Sequence, residues 1–132
     1  MPSVMPLPEH IDVSVIVPCY NTEQYLDQCL TSIEADRLPS LEIIVLNDGS
    51  TDGSLEIMKR HASKDSRVRV IDKSNQGYGA TVNRGIAESH GVYIAIVEPD
   101  DYLKPDMYST LIDLAREYGR PDVVKSAYWR VC

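Results

Sequence analysis

Short apolar runs rich in β-branched residues alternate with stretches of helical periodicity from Val13 onward. Strands separated by helices pair in parallel, so this order predicts an α/β domain: a mostly parallel sheet with helices on both faces. Val13–Pro18 (VSVIVP) reads as a buried strand stopped by its proline. Asn21 stands where an N-cap belongs, with Gln24 at capping-box spacing. Leu26, Leu30 and Ile33 then share one face, so Thr22–Ala35 is expected to be helical. Leu41–Asn47 is apolar for most of its length, as a strand covered on both faces should be. Ser54–Ala62 is expected as the second helix and Val68–Ile71 as a short third strand. Ala80–His90 reads as the third helix, closed by Gly91 at C′. Tyr93–Val97 is the fourth strand, Pro105 opens a fourth helix at N1, and Val123–Ala127 begins a fifth strand. Residues 1–11 read as a flexible lead-in and 12–132 as one domain.

Composition narrows the function classes. At 132 residues and 43% hydrophobic, the chain suits a single globular domain with a real core. Acidic residues number 20 against 13 Lys plus Arg, a net charge of -7. Such a surface repels nucleic acid and anionic membranes, which argues against a nucleic-acid partner, and it suits a protein that gathers cations. Cys19, Cys29 and Cys132 form no C-x-x-C pair, and an odd count is a poor disulfide framework. Reduced thiols and a cytoplasmic location are expected. The first ten residues lack the apolar core of a signal peptide, and no apolar run approaches the length that spans a bilayer.

Open parallel sheets bind ligands beyond the carboxyl ends of their strands, so the strand ends hold the candidate chemistry. They read Pro18-Cys19-Tyr20-Asn21, Asn47-Asp48-Gly49-Ser50, Asn75-Gln76-Gly77-Tyr78-Gly79 and Glu98-Pro99-Asp100-Asp101. Three carboxylates in the last segment repel one another unless water or a cation screens them. Their hard oxygens suit Mg2+ or Mn2+ bridging a diphosphate, and an acidic turn explains the same residues. Asp48 suits the imide of a uracil or a ribose hydroxyl, or else it belongs to a turn before a helix cap. Tyr20 suits stacking on a base or packing in a loop. Gly77-Tyr78-Gly79 resembles the start of a dinucleotide fingerprint, but the third glycine is missing at the right spacing. It reads instead as a flexible turn that brings Asn83 and Arg84 into the cleft, where Arg84 could meet a phosphate or an acid; a surface Arg is the plainer alternative. Acids from separate segments, Asp48 and Asp100 above all, are thus expected to converge on one cavity.

Taken in order, VSVIVPCYN, YLDQCLTSI, LEIIVLNDGSTDGS, NQGYGATVNRGI and HGVYIAIVEPDDYL resemble family 2 glycosyltransferases. The resemblance implies a Rossmann-like GT-A fold and transfer of a sugar from a nucleotide-diphosphate donor, UDP-linked, with inversion at the anomeric carbon. It implies a carbohydrate or lipid-linked acceptor in polysaccharide or glycolipid synthesis. By position, Pro18, Tyr20 and Asn21 line the nucleoside pocket, Asp48 contacts the base, Arg84 lies near the diphosphate, and Asp100 reaches the donor. Glu98, Asp100 and Asp101 take the place of the D-x-D metal motif and imply Mn2+ or Mg2+. Two positions depart from the pattern: Asn47 replaces the first of a paired Asp, and Glu98 replaces the first metal Asp and reaches one methylene further. The family's general base is expected beyond Cys132, as is any segment that would bring the protein to the inner face of a membrane.

Three other readings compete. A receiver-type phosphoacceptor switch wants an acidic pair after the first strand, where this chain has Cys19-Tyr20-Asn21. A nicotinamide-binding oxidoreductase wants a Gly-rich turn after Val17, which is absent. A non-catalytic interaction module, pairing as a homodimer through bare apolar surface, needs no site at all.

Overall fold

The computed structural model describes residues 10–117 and 129–130. Four parallel strands form the sheet: β1 (Val13–Cys19), β2 (Leu41–Asp48), β3 (Val68–Lys73) and β4 (Tyr93–Ile96). Their order is β3-β2-β1-β4. Between them run α1 (Glu23–Glu34), α2 (Ser54–Lys64) and α3 (Tyr78–Glu88). A two-residue β5 (Asp101–Tyr102), then α4 (Met107–Glu117), follow β4. β5 pairs antiparallel with β6 (Trp129–Arg130), a small second sheet that the periodicity does not predict. The expected strand at Val123–Ala127 lies outside the described residues, as does most of the lead-in. Ile11, by contrast, is already buried, and its carbonyl accepts the Val92 amide.

Every residue of β1 and β2 is buried, as central strands between two helical layers must be. Alternate side chains go to opposite faces. Val13, Val15 and Val17 join Leu26, Cys29, Leu30 and Ile33 of α1, Met58 of α2, and Tyr108 and Ile112 of α4 in the main core. Ile16, Ile44 and Leu46 face the other way and form a smaller cluster with Ile71. There α3 sits so close that a Cβ on Gly85 would lie 2.6 Å from Cγ2 of Ile16. Among the described residues helices therefore cover both faces, α1, α2 and α4 on one and α3 on the other. No helix among the described residues is long and apolar enough to cross a membrane.

Helix starts differ from the sequence expectation in instructive ways. Asn21 does not cap α1. Its φ is +50°, in the left-handed region that Asn tolerates, and Thr22 takes the N-cap position without a side-chain bond. The amides at the N-cap and first residue of α1 are instead satisfied from the segment that starts α2: Ser54 Oγ accepts from Thr22 N at 3.0 Å and Asp52 Oδ2 from Glu23 N at 3.2 Å. Pro105 does not open α4 either. It sits in a turn with Asp106 at φ +57°, and the amides of Tyr108 and Ser109 are met by Oδ2 of buried Asp36 at 2.7 and 3.0 Å. Gly91 is not a helix-closing residue. A Cβ there would lie 2.5 Å from the Ser14 amide, so close backbone approach is what requires glycine.

Candidate functional site

Strand order reverses between β1 and β4, so the carboxyl end of β1 borders a topological switch point, where such sheets bind ligands. A cavity of about 240 Å³ opens there. Pro18, Cys19 and Tyr20 supply one wall, Asp48 the floor, and Asn75, Gly77, Tyr78 and Thr81 the other wall. Tyr20 and Tyr78 are 52% and 56% exposed, so both rings stand at the mouth rather than in the core.

Asp48 is nearly sealed, at 4% exposure. The register of β2 against β3 sets it opposite Lys73, whose Nζ donates to Oδ1 at 2.6 Å. The Gln76 amide donates to the same oxygen at 2.8 Å and the Gly77 amide to Oδ2 at 3.0 Å. Burial alone would raise this carboxyl, but the bonds from Lys73, Gln76 and Gly77 outweigh it and hold the group below the usual carboxylate range. A carboxylate has about four acceptor sites; three are filled, which leaves about one for a ligand imide or hydroxyl. Gly77 meets this geometry at φ +96°, a conformation that favours glycine. Gly49, at φ +71°, lies so near the Asn75 amide that a Cβ would sit 2.7 Å from it. The loops after β2 and β3 are thus locked together around one acid.

Asn47, the departure from the paired Asp, has its own task. Its Nδ2 donates to Asp72 Oδ1 at 2.9 Å and its Oδ1 accepts the Ser50 amide at 3.1 Å. An aspartate in that place would face Asp72 with like charge. Cys19 forms part of the cavity wall, and burial pushes its thiol up to about 12, so it is a neutral packing group there.

Of the residues expected to bind nucleotide, Pro18, Tyr20 and Asp48 meet in this cavity, and Asn21, Arg84 and Asp100 are not among its lining. Asn21 spends its side chain on the neighbouring loop, accepting from the Thr51 amide at 2.8 Å. Arg84 is exposed and lies 3.5 Å from Glu88. It sits roughly 9 Å along the helix axis from Tyr78 at the cavity mouth.

The acidic segment after β4 is spread out. Asp101 is buried at 2% and opens β5, away from the solvent side. Glu98 and Asp100 are half-buried, and Glu98 Oε1 accepts a hydrogen bond from the Tyr78 hydroxyl. That bond ties the acidic segment to the cavity wall, and the carboxylate raises the Tyr78 phenol to about 12. Among the described residues no three His, Cys, Asp or Glu side chains converge to hold a metal ion. The donor set of Glu98 and Asp100 does not fit an all-protein cage. It does fit Mg2+ or Mn2+ held by one or two carboxylates together with substrate phosphates.

Lys73 and Thr81 build the site without having been singled out by sequence, whereas Asn75 and Tyr78 come from a strand-end segment expected to hold the chemistry. Lys73 carried a usable signal: a third strand extended by two residues puts it directly opposite Asp48.

A parallel sheet in this order, with a cavity at its switch point and acids beyond β4, is the architecture of a GT-A nucleotide-sugar domain. The sequence profile of glycosyl transferase family 2 matches residues 14–130, and the chain belongs to that family. It is 41% identical over 103 residues to the "Putative glycosyltransferase EpsH" of Bacillus subtilis, covering 78% of this chain and 30% of that one. The structure of S. aureus TarS 1-349 in complex with UDP-GlcNAc superposes with a TM-score of 0.77 at 28% identity, over 83% of this chain and 32% of that one. The mannosyltransferase PcManGT from Pyrobaculum calidifontis, in complex with GDP-Man and Mn2+, gives a TM-score of 0.67 at 25% identity, over 78% and 32%. The chain spans about a third of the length of these relatives.

Proposed function

We propose that this chain is the donor-binding part of an inverting glycosyltransferase. It transfers a sugar from a UDP-linked donor to an acceptor hydroxyl in polysaccharide or glycolipid synthesis. The observation that carries the reading is the sealed Asp48 carboxylate at the floor of a cavity at the sheet's switch point, with Tyr20 at its mouth. Tyr20 offers a face for base stacking, and the remaining acceptor site of Asp48 suits the imide N–H of uracil or a ribose hydroxyl. A complex of a relative with UDP-GlcNAc supports the donor class.

Glu98 and Asp100 would hold Mn2+ or Mg2+ beside the diphosphate, which supplies charge neutralisation as the nucleoside diphosphate departs. Asp101 adjoins them at the start of β5 and, at 2% exposure, would reach the ion only from within that segment. The free, buried thiols of Cys19 and Cys29 suit a reducing, cytoplasmic setting.

Isothermal titration of UDP, with and without Mn2+, tests the reading. Binding is expected to strengthen with Mn2+ and to weaken about tenfold in Tyr20→Ala, the size of one lost base stack. Equal affinity of the wild type and Tyr20→Ala for UDP would remove the stacking role and, with it, the assignment of the cavity.

A further inference from the structure

We propose that Lys73 is a positioning residue for the donor base: its ammonium fills one side of Asp48, so that the cavity floor offers a charged acceptor and favours a base with a ring N–H over one with a bare ring nitrogen. The inference rests on the donor-binding reading above and adds to it the group that sets which base is taken.

Lys73 ends β3, and its side chain, 7% exposed, lies behind the floor rather than in the cavity lining. An ammonium has three donors, and all three are engaged here. They meet Asp48 Oδ1 at 2.6 Å, the Ser74 carbonyl at 3.2 Å and Thr81 Oγ1 at 3.2 Å. Thr81 does line the cavity, but its hydroxyl donates to the Gly77 carbonyl at 2.8 Å. Lys73 and the Gln76 amide share Oδ1, and the Gly77 amide takes one position on Oδ2. The open position of the carboxylate is therefore on Oδ2, and what the floor presents to a ligand is a lone pair. Uracil meets it with its imide N–H; cytosine, of the same size, brings a bare N3 that the charge repels.

The preference depends on Asp48 staying ionised. Burial opposes the charge, and the bond from Lys73 leads the contacts that restore it. Without the ammonium the carboxyl rises, and the neutral acid accepts the imide more weakly and no longer repels N3. The other titratable groups of the cavity do not compete. The Cys19 thiol on β1 is held up at about 12 by burial and the Tyr78 phenol of α3 at about 12 by Glu98, so both stay neutral. Asp72, the next acid on β3, alternates to the opposite face and accepts from Asn47.

The ratio of UDP to CDP affinity, measured by isothermal titration from about pH 8 to about pH 5.5, tests this, because the two diphosphates titrate alike and cancel. In the wild type UDP is expected to be favoured about tenfold to a hundredfold, unchanged across the range. In Lys73→Met, which keeps the stem without the charge, the preference is expected to shrink about five- to tenfold toward the acid end. Lys73→Gln, which keeps a donor without the charge, is expected to do the same and serves where Lys73→Met does not fold. Lys73→Arg is expected to hold the preference constant. A preference in the uncharged variants that equals the wild-type value at every pH overturns the proposal, as does equal wild-type affinity for UDP and CDP. If the wild type binds neither nucleotide, the donor reading falls and takes this proposal with it; a UDP preference indifferent to Lys73 removes this proposal alone.

Discussion

Asp48 and Lys73 face each other at the ends of adjacent strands, with side chains 6% and 7% exposed. Removing one member of a sealed ion pair leaves the other without its counter-charge. Lys73→Ala is therefore expected to cost on the order of 3 kcal/mol, read from the urea midpoint at constant slope. The acid side of the stability profile carries a second expectation. Asp48 titrates below its ordinary range when folded. Its contribution is thus complete above the unfolded value near about pH 4 and is lost as pH falls through the lower folded value. Asp48→Asn is expected to flatten the fall in stability below about pH 4; an unchanged slope in urea titrations across that range would refute the assignment. At this scale the sequence was a partial guide. Pro18, Tyr20 and Asp48 could be placed because each lies at or just beyond the end of a recognisable strand. The partners of Asp48 could not, because Gln76 and Gly77 reach it by backbone amides, which carry no residue signature. For Arg84 the sequence left two readings open, and its exposed pairing with Glu88 is the plainer of them.

Strands and helices were legible where their signals are local. The β-branched runs and the apolar faces of α1 and α4 need no knowledge of distant residues. Helix beginnings were not, because they are finished by other segments. Asp52 is the clearest case: Oδ2 accepts the Glu23 amide at the start of α1, while Oδ1 accepts the Ser54 amide at 2.9 Å at the start of α2. Glu23 returns the favour by accepting the Gly53 amide at 2.8 Å. Asp52→Ala is expected to lower stability by about 1–2 kcal/mol, since it removes a cap from two helices at once. Within α3, two glycines are expected to behave oppositely. Gly85→Ala drives a methyl into Ile16 and Leu46 of a close-packed core and is expected to cost about 1–3 kcal/mol. Gly79→Ala meets open space and is expected to gain up to about 1 kcal/mol. Paired thermal melts of the two variants, shifting in opposite directions, check the packing of α3 on the sheet.

For the molecule as a whole, the α3 face of the sheet is covered unevenly. β4 is an edge strand of the described sheet; Ile94 and Ile96 along it are 45% and 46% exposed, and Val92 just before it is 52% exposed. Exposed apolar edges invite pairing with another surface. The isolated chain is expected to self-associate as its concentration rises, and Ile94→Lys with Ile96→Lys to return it to monomer, both read by light scattering. Scatter that stays at the monomer value for the wild type would count against that expectation. The α/β class and the parallel order were open to sequence reading because alternation is a property of the whole chain. The small β5–β6 sheet was not, since two-residue strands carry no period. The floor of the cavity, finally, belongs to no single segment: its carboxylate comes from β2, its cation from β3 and its amides from the turn into α3. A nucleotide seated on it would therefore act as a cross-brace, holding three stretches of chain together against local opening.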